Sequence, residues 1–191
     1  MTNLPTNNII YASVTLDFVT VSVEFCSFLE RGDDLSRQEW MKTLLRILPL
    51  LYVKATLIPT TEVFLDDFPE TFVTEHDYIR VSNYISTLLG EDDVYLDFFV
   101  EDMKYSDRPV SSFVSEDIAD IYQDIRNFVS IYQYGLEETM RSALHVCTEN
   151  FKSFWGQKLV NVLRALHSLV YKPDEGIHFG DNNENKNSPW D

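Results

Sequence analysis

Three aspartates, Asp117, Asp120 and Asp124, stand at i, i+3 and i+7. On a helix that spacing lines them along one face, within about 100° of arc. Converging carboxylates can bind a divalent cation or act as a general acid and base. A second set, Arg164 and His167, lies three residues apart near the end of the last apolar pattern. If the two stretches face each other they form a polar network, an arrangement found in functional pockets and in structural interiors alike. A third candidate is a groove at Trp155, Gly156 and Tyr122. Glycine within a helix costs about 1 kcal/mol against alanine, so Gly156 marks a close approach by another backbone or by a ligand.

The competing structural readings are concrete. Asp117 falls in the first turn of its helix, where the dipole alone favours a carboxylate. Carboxylate-bridged metal bundles need Glu-x-x-His on their helices. The single match, Glu175 to His178, encloses Gly176 in a polar tail. No metal ligand set, no cofactor and no catalytic residue is therefore assigned. His145, four residues after Arg141, resembles a ribonuclease pair only superficially, because such pairs stand further apart in sequence and the acidic balance of the chain repels RNA. His76, near a helix start, would be disfavoured as a cation and is read as facing solvent. Cys26 and Cys147 lie on apolar stripes and are read as small buried hydrophobes in a reducing compartment. There is no glycine-rich phosphate loop and no Gly-x-Ser-x-Gly.

Charge narrows the partners. The 191 residues carry 31 acids against 15 bases, a formal net charge of −16. Nucleic acid is excluded as a ligand, since phosphate contacts need clustered positive charge. The acids are uneven: residues 91–124 hold eleven acids and two bases, whereas 126–172 hold six bases and three acids. The acidic segment either pairs within the fold or leaves a negative face that attracts a basic protein partner. The most apolar run, Leu44 to Ile58, contains Arg46, Lys54 and Pro49 and is too short for a membrane span of about 20 residues. The first basic residue is Arg31, so no charged leader region is visible, and a cytoplasmic protein is expected.

The elements that must position these groups are helices. Val14, Phe18, Val21, Phe25 and Phe28 predict a first helix from about Ile9 to Arg31, with Asn7 or Asn8 as cap and Gly32 as stop. Ser36-Arg-Gln-Glu39 is a capping box opening a second helix, with a kink expected at Pro49 and an end before Pro59. Residues 60–73 read as a surface connection. Thr74 caps a helix that runs to Leu89 and stops at Gly90. Residues 91–101 suit a short helix or an extended piece equally, and 102–114 read as loop. Ser115 is expected to cap a helix ending at Tyr134 before Gly135. From Leu136 one apolar stripe runs through Met140, Leu144, Cys147, Phe151, Trp155 and onward to Leu169, predicting one long helix or a pair with a mild bend. The expected architecture is all-α: an antiparallel bundle of about six helices over residues 9–171, followed by an acidic tail at 172–191 that buries little and is expected to be disordered.

Three stretches also carry a resemblance: Leu48-Pro49-Leu50-Leu51-Tyr52 with Ala55 to Pro59, then Ser115 to Asp124, then Phe154-Trp155-Gly156 with Leu163 to His167. Over about residues 10–170 the chain resembles an uncharacterised bacterial family of all-helical proteins, domain of unknown function five-zero-six-three. The resemblance implies the helical fold and adds no reaction. Family members tend to carry a His before the Trp-Gly and another soon after. Phe154 and Gln157 or Lys158 occupy those places here, so any ligand role of those histidines would be lost. Two functions follow as expectations: a non-enzymatic interaction or adaptor module, or a metal-dependent or acid-base enzyme built on the aspartate stripe with Arg164 and His167.

Overall fold

A computed structural model describes residues 6–31, 35–60, 69–97 and 110–172. The fold is all-α: the described residues form six helices around an apolar core and a two-stranded antiparallel ladder at one side. The helices are α1 (Ser13–Arg31), α2 (Arg37–Thr56), α3 (Glu75–Leu89), α4 (Val114–Tyr134), α5 (Glu137–Asn150) and α6 (Gly156–Val170). The strands are β1 (Val94–Asp97) and β2 (Val110–Phe113). Among the described residues no helix is long and apolar enough to cross a membrane.

Helix α4 is the axis of the bundle. It packs against α1, α3, α5 and α6, and twelve of its 21 residues are buried, more than a one-sided amphipathic helix would hide. Phe18 of α1 stacks on Phe128 of α4 with ring centroids 5.3 Å apart. Helix α2 fills the other side, against α1 and α6, and its fully buried Trp40 lies between Phe28 and Tyr84.

The expected capping box at α2 forms, and the structure adds a second at α3. Ser36 Oγ accepts the Glu39 N–H while Glu39 reaches back to Ser36, and Thr74 and Asp77 do the same at α3. Pro49 lies inside α2, so its missing amide does not end the element. Gly135 ends α4 with φ of +77°, a left-handed conformation that favours a residue without Cβ.

The structure departs from the expected elements in four places. The first helix is preceded by a 3-10 turn over Thr6–Tyr11 that contains Asn7 and Asn8. Tyr132 of α4 donates its hydroxyl to the Ile10 carbonyl and Thr15 Oγ1 donates to the Ile9 carbonyl, which holds that turn on the core. Residues 90–93 form a 3-10 turn and 94–97 a strand, so the described part of the ambiguous segment takes both forms in succession, while 98–101 lie outside the described residues. Residues 110–113, read as loop, are the partner strand, with Val94 opposite Phe113 and Asp97 opposite Val110. Four-residue strands give too short an alternation to stand out from a loop.

Ser115 is the fourth departure. Helix α4 begins at Val114, two residues before the start that a Ser115 cap would give, and no side chain of its own segment caps it. The cap comes from a distance: buried Asp93 accepts the Ser115 N–H at 2.8 Å and the Ser115 hydroxyl at 2.7 Å. A carboxylate there satisfies a first-turn amide and meets the positive end of the helix. The expected stop at Gly32, most of the 60–73 and 102–109 connections and the 173–191 tail lie outside the described residues.

Candidate functional site

The aspartate stripe faces α6. Asp117 Oδ1 lies 2.6 Å and Asp120 Oδ2 2.7 Å from Lys158 Nζ. Lys158, rather than Arg164 or His167, is the cation on these two carboxylates. Tyr95 of β1 donates its hydroxyl to Asp117 Oδ2. Tyr78 of α3 donates to Asp120 Oδ1 at 3.0 Å. The Lys158 ammonium also lies 5.0 Å from the centroid of the Phe154 ring, one helical turn earlier. Five side chains from α3, β1, α4 and α6 thus converge on one buried node, with only 8% of the Asp117 side chain exposed.

The node's hydrogen bonds and charges shift two of its groups. Burial alone would lower the Lys158 pKa, but hydrogen bonds and charge from Asp117 and Asp120 outweigh it and raise the value. Burial and the adjacent Asp120 carboxylate push the Tyr78 hydroxyl well above the ordinary tyrosine range. Both groups move away from neutrality, whereas a general acid or base works best near the operating pH. The node therefore acts as a pin between four elements.

Asp124, the third member of the stripe, has a separate partner. It accepts a 2.7 Å hydrogen bond from Asn150 Nδ2 at the end of α5. Burial raises its pKa, opposed by the Asn150 bond and reinforced by Asp120. Among the described residues, no group of three or more His, Cys, Asp or Glu side chains is placed to share one metal ion.

Arg164 and His167 are both exposed. The His167 ring packs on Tyr171, with centroids 4.7 Å apart. Arg164 lines a cleft of about 310 Å³ with Tyr95, Leu96 and Asn161. Tyr95 thus belongs to both places: it walls this cleft and bonds Asp117. The two polar clusters anticipated from sequence are neighbours through Tyr95.

The Trp155–Gly156 position is core. Trp155 is fully buried, and its indole N–H donates to the Cys147 carbonyl at 2.9 Å. Residues Phe151–Trp155 form one π turn joining α5 to α6, so a helical backbone continues through the junction. In that wider turn the Gly156 N–H bonds the Phe151 carbonyl. A Cβ on Gly156 would lie 2.3 Å from that oxygen and 2.8 Å from the Phe151 ring. The close neighbour of Gly156 is thus Phe151 in the preceding π turn, in place of the separate backbone or ligand expected. Tyr122, the third groove candidate, is buried elsewhere on α4 and donates to Glu30 Oε1 of α1 at 2.9 Å.

Lys158, Tyr78 and Tyr95 were missed as members of the node. The usable signal was the Asp117–Asp120 pair itself, which needs a cation from a facing helix once buried. Choosing Lys158 over Arg164, six residues further along α6, requires the longitudinal register of α4 against α6, which no local pattern encodes.

These features define a class, a helical bundle in which Asp117, Asp120, Lys158, Tyr78 and Tyr95 bond to one another across four elements. The family model described as Domain of unknown function (DUF5063) matches residues 9–172, and the chain belongs to that family. Its fold is similar to the crystal structure of protein BF1032 from Bacteroides fragilis, at 43% identity over 88% of this chain and 99% of that one, with a TM-score of 0.77. No curated protein matches.

Proposed function

We propose that the protein is a non-enzymatic interaction module that docks an acidic, amphipathic polypeptide on the outer face of α2. The observation that supports this is an apolar stripe that no described residue covers: Leu50, Val53 and Leu57 are 55%, 51% and 51% exposed. They lie on the side of α2 opposite Leu44, Leu48, Leu51 and Ala55, which fill the core. Arg46 and Lys42, one and two turns before Leu50, are exposed on the same arc. A chain with net charge −16 places two cations beside its unpartnered apolar stripe, which suits a partner that is itself acidic and apolar.

The acidic run at 91–124, the surface expected to attract a basic partner, is less available. Of its seven carboxylates with described side chains, five are engaged: Asp92 by Arg37, Asp93 by Ser115, Asp117 and Asp120 by Lys158, and Asp124 by Asn150. Enzyme chemistry on the aspartate stripe is the less supported reading, because its two leading members already hold an ammonium between them.

The test is native capture with the full-length chain as bait. A stoichiometric acidic polypeptide is expected to be retained, lost with Leu50→Glu plus Val53→Glu, and kept with the equally charged exposed pair Asn83→Glu plus Thr87→Glu. A bait that elutes alone and monomeric by light scattering, a partner that is basic, or retention undiminished by the α2 changes would each refute the proposal.

A further inference from the structure

We propose that the cleft between α1, α3 and α4 binds a small amphiphilic carboxylate, with its head at Arg80 and Arg126 and its apolar body along Val19, Val23 and Val129. This site is separate from the α2 face and does not depend on it. Two cavities meet at the Arg126–Glu30 ion pair. One, of about 410 Å³, is lined by polar groups including Arg80, Tyr122, Arg126 and Ser130. The other, of about 480 Å³, has Val19, Val23, Cys26 and Val129 in its wall. Glu30, Arg126 and Gln133 belong to both linings. Each volume is within the range of about 300–1,000 Å³ usual for small-molecule sites. A polar chamber opening onto an apolar one matches a ligand with a charged head and a hydrocarbon body.

The charges favour an anionic head. Arg80 is exposed and forms no ion pair with any described residue. Its acidic neighbour Asp77 is committed to the Thr74 N–H and hydroxyl in the α3 capping box. Arg126 is fixed at two points: Nε lies 2.9 Å from Glu30 Oε1, and Nη1 donates to Ser130 Oγ at 3.3 Å. The Ser130 anchor sits on the next turn of the same helix and is buried, so it holds the guanidinium whether or not Glu30 is present.

Glu30 occupies the place of the ligand head. It stands in the last turn of α1, and its side chain is about one-third exposed, at 32%. Exposed ion pairs contribute about 0–1 kcal/mol, so swinging Glu30 into water costs little. The entering carboxylate would then accept from Arg126 and from the Tyr122 hydroxyl, which now donates to Glu30 at 2.9 Å. Glu30 is thus a displaceable internal mimic of the ligand, and the apolar chamber beside it supplies the selectivity for a hydrocarbon body over acetate-sized anions.

Titration calorimetry of the full-length chain with sodium octanoate, 1-octanol and sodium acetate tests this. Octanoate is expected to bind at one site, with octanol and acetate at least tenfold weaker. Arg80→Ala should weaken octanoate about tenfold, Val23→Trp should abolish binding by filling the apolar chamber while the melting temperature holds, and Glu30→Gln should tighten binding by removing the competitor. The Leu50→Glu plus Val53→Glu chain should bind octanoate like the parent. No heat from octanoate at millimolar concentration, equal binding of octanol, or affinity unchanged in both Arg80→Ala and Val23→Trp would overturn the proposal.

Discussion

Lys158 Nζ lies 2.6 Å from Asp117 Oδ1, and this contact ties the start of α4 to α6 across the bundle. The same ammonium reaches Asp120 at 2.7 Å, one turn further along. Replacing Lys158 by Met leaves two carboxylates facing each other with only tyrosine hydroxyls for company. A fully buried broken pair costs about 3–5 kcal/mol. Lys158 and Asp120 keep about a quarter of their side chains exposed, so a loss of about 2 kcal/mol is expected by urea unfolding. Adding Asp117→Asn and Asp120→Asn to Lys158→Met should restore most of it, which a purely steric role for Lys158 would not allow.

The node also sets an alkaline limit. Lys158 and Tyr78 both have folded pKa values raised above their unfolded ones. Each favours its protonated form in the folded state, so its contribution is complete below the unfolded pKa, about 10 for both types. It is lost as pH rises through the folded values. Unfolding free energy measured against pH should fall above about pH 10, and Tyr78→Phe with Lys158→Met should flatten that limb.

Asp124 gives the opposite lesson about buried carboxylates. Its folded pKa is raised, chiefly by burial. It therefore favours the folded state only when protonated, and that advantage is gone once pH passes above the folded value. Asp124→Asn keeps an oxygen to accept from Asn150 and removes the buried charge. A gain in stability at pH 7 is expected, shrinking toward pH 3. Thermal melts at the two pH values check it.

Gly156→Ala should be destabilising, although alanine normally improves a helix by about 1 kcal/mol over glycine. The new Cβ would sit 2.3 Å from the Phe151 carbonyl oxygen, a backbone atom that a side-chain rotation cannot move. A cost of about 1–3 kcal/mol follows from overpacking. A variant as stable as the parent would mean that the π turn converts to regular helix at no cost.

Asp93→Ala removes the long-range cap of α4 and strands the buried Ser115 hydroxyl. About 1–3 kcal/mol is expected from the unsatisfied groups, with Asp93→Asn losing less because its amide oxygen still accepts one bond. Ser115→Ala, which keeps its N–H on Asp93, should lie between the parent and Asp93→Ala.

The helices themselves were legible in the chain. Ser36 with Glu39 and Thr74 with Asp77 are reciprocal contacts within four residues, and the apolar stripes from Val14 to Phe28 and from Met140 to Leu169 need only the 3.6-residue period to be read. The stripe also continued correctly through Trp155 and Gly156, because a π turn keeps the backbone helical. The two short strands were not legible, since β1 is held by β2 across a gap in sequence and neither is long enough to declare a period of two.

What the sequence by itself determined is the set of elements and the fact that Asp117 and Asp120 share a face, because those depend on neighbours three to seven residues away. Only the tertiary structure decided that Lys158 answers them, that Asp93 caps α4 in place of Ser115, and that Leu50, Val53 and Leu57 stay uncovered. The reason is physical: sliding one helix along another by a single turn, about 5.4 Å, leaves every local pattern intact while exchanging each long-range partner for a different one.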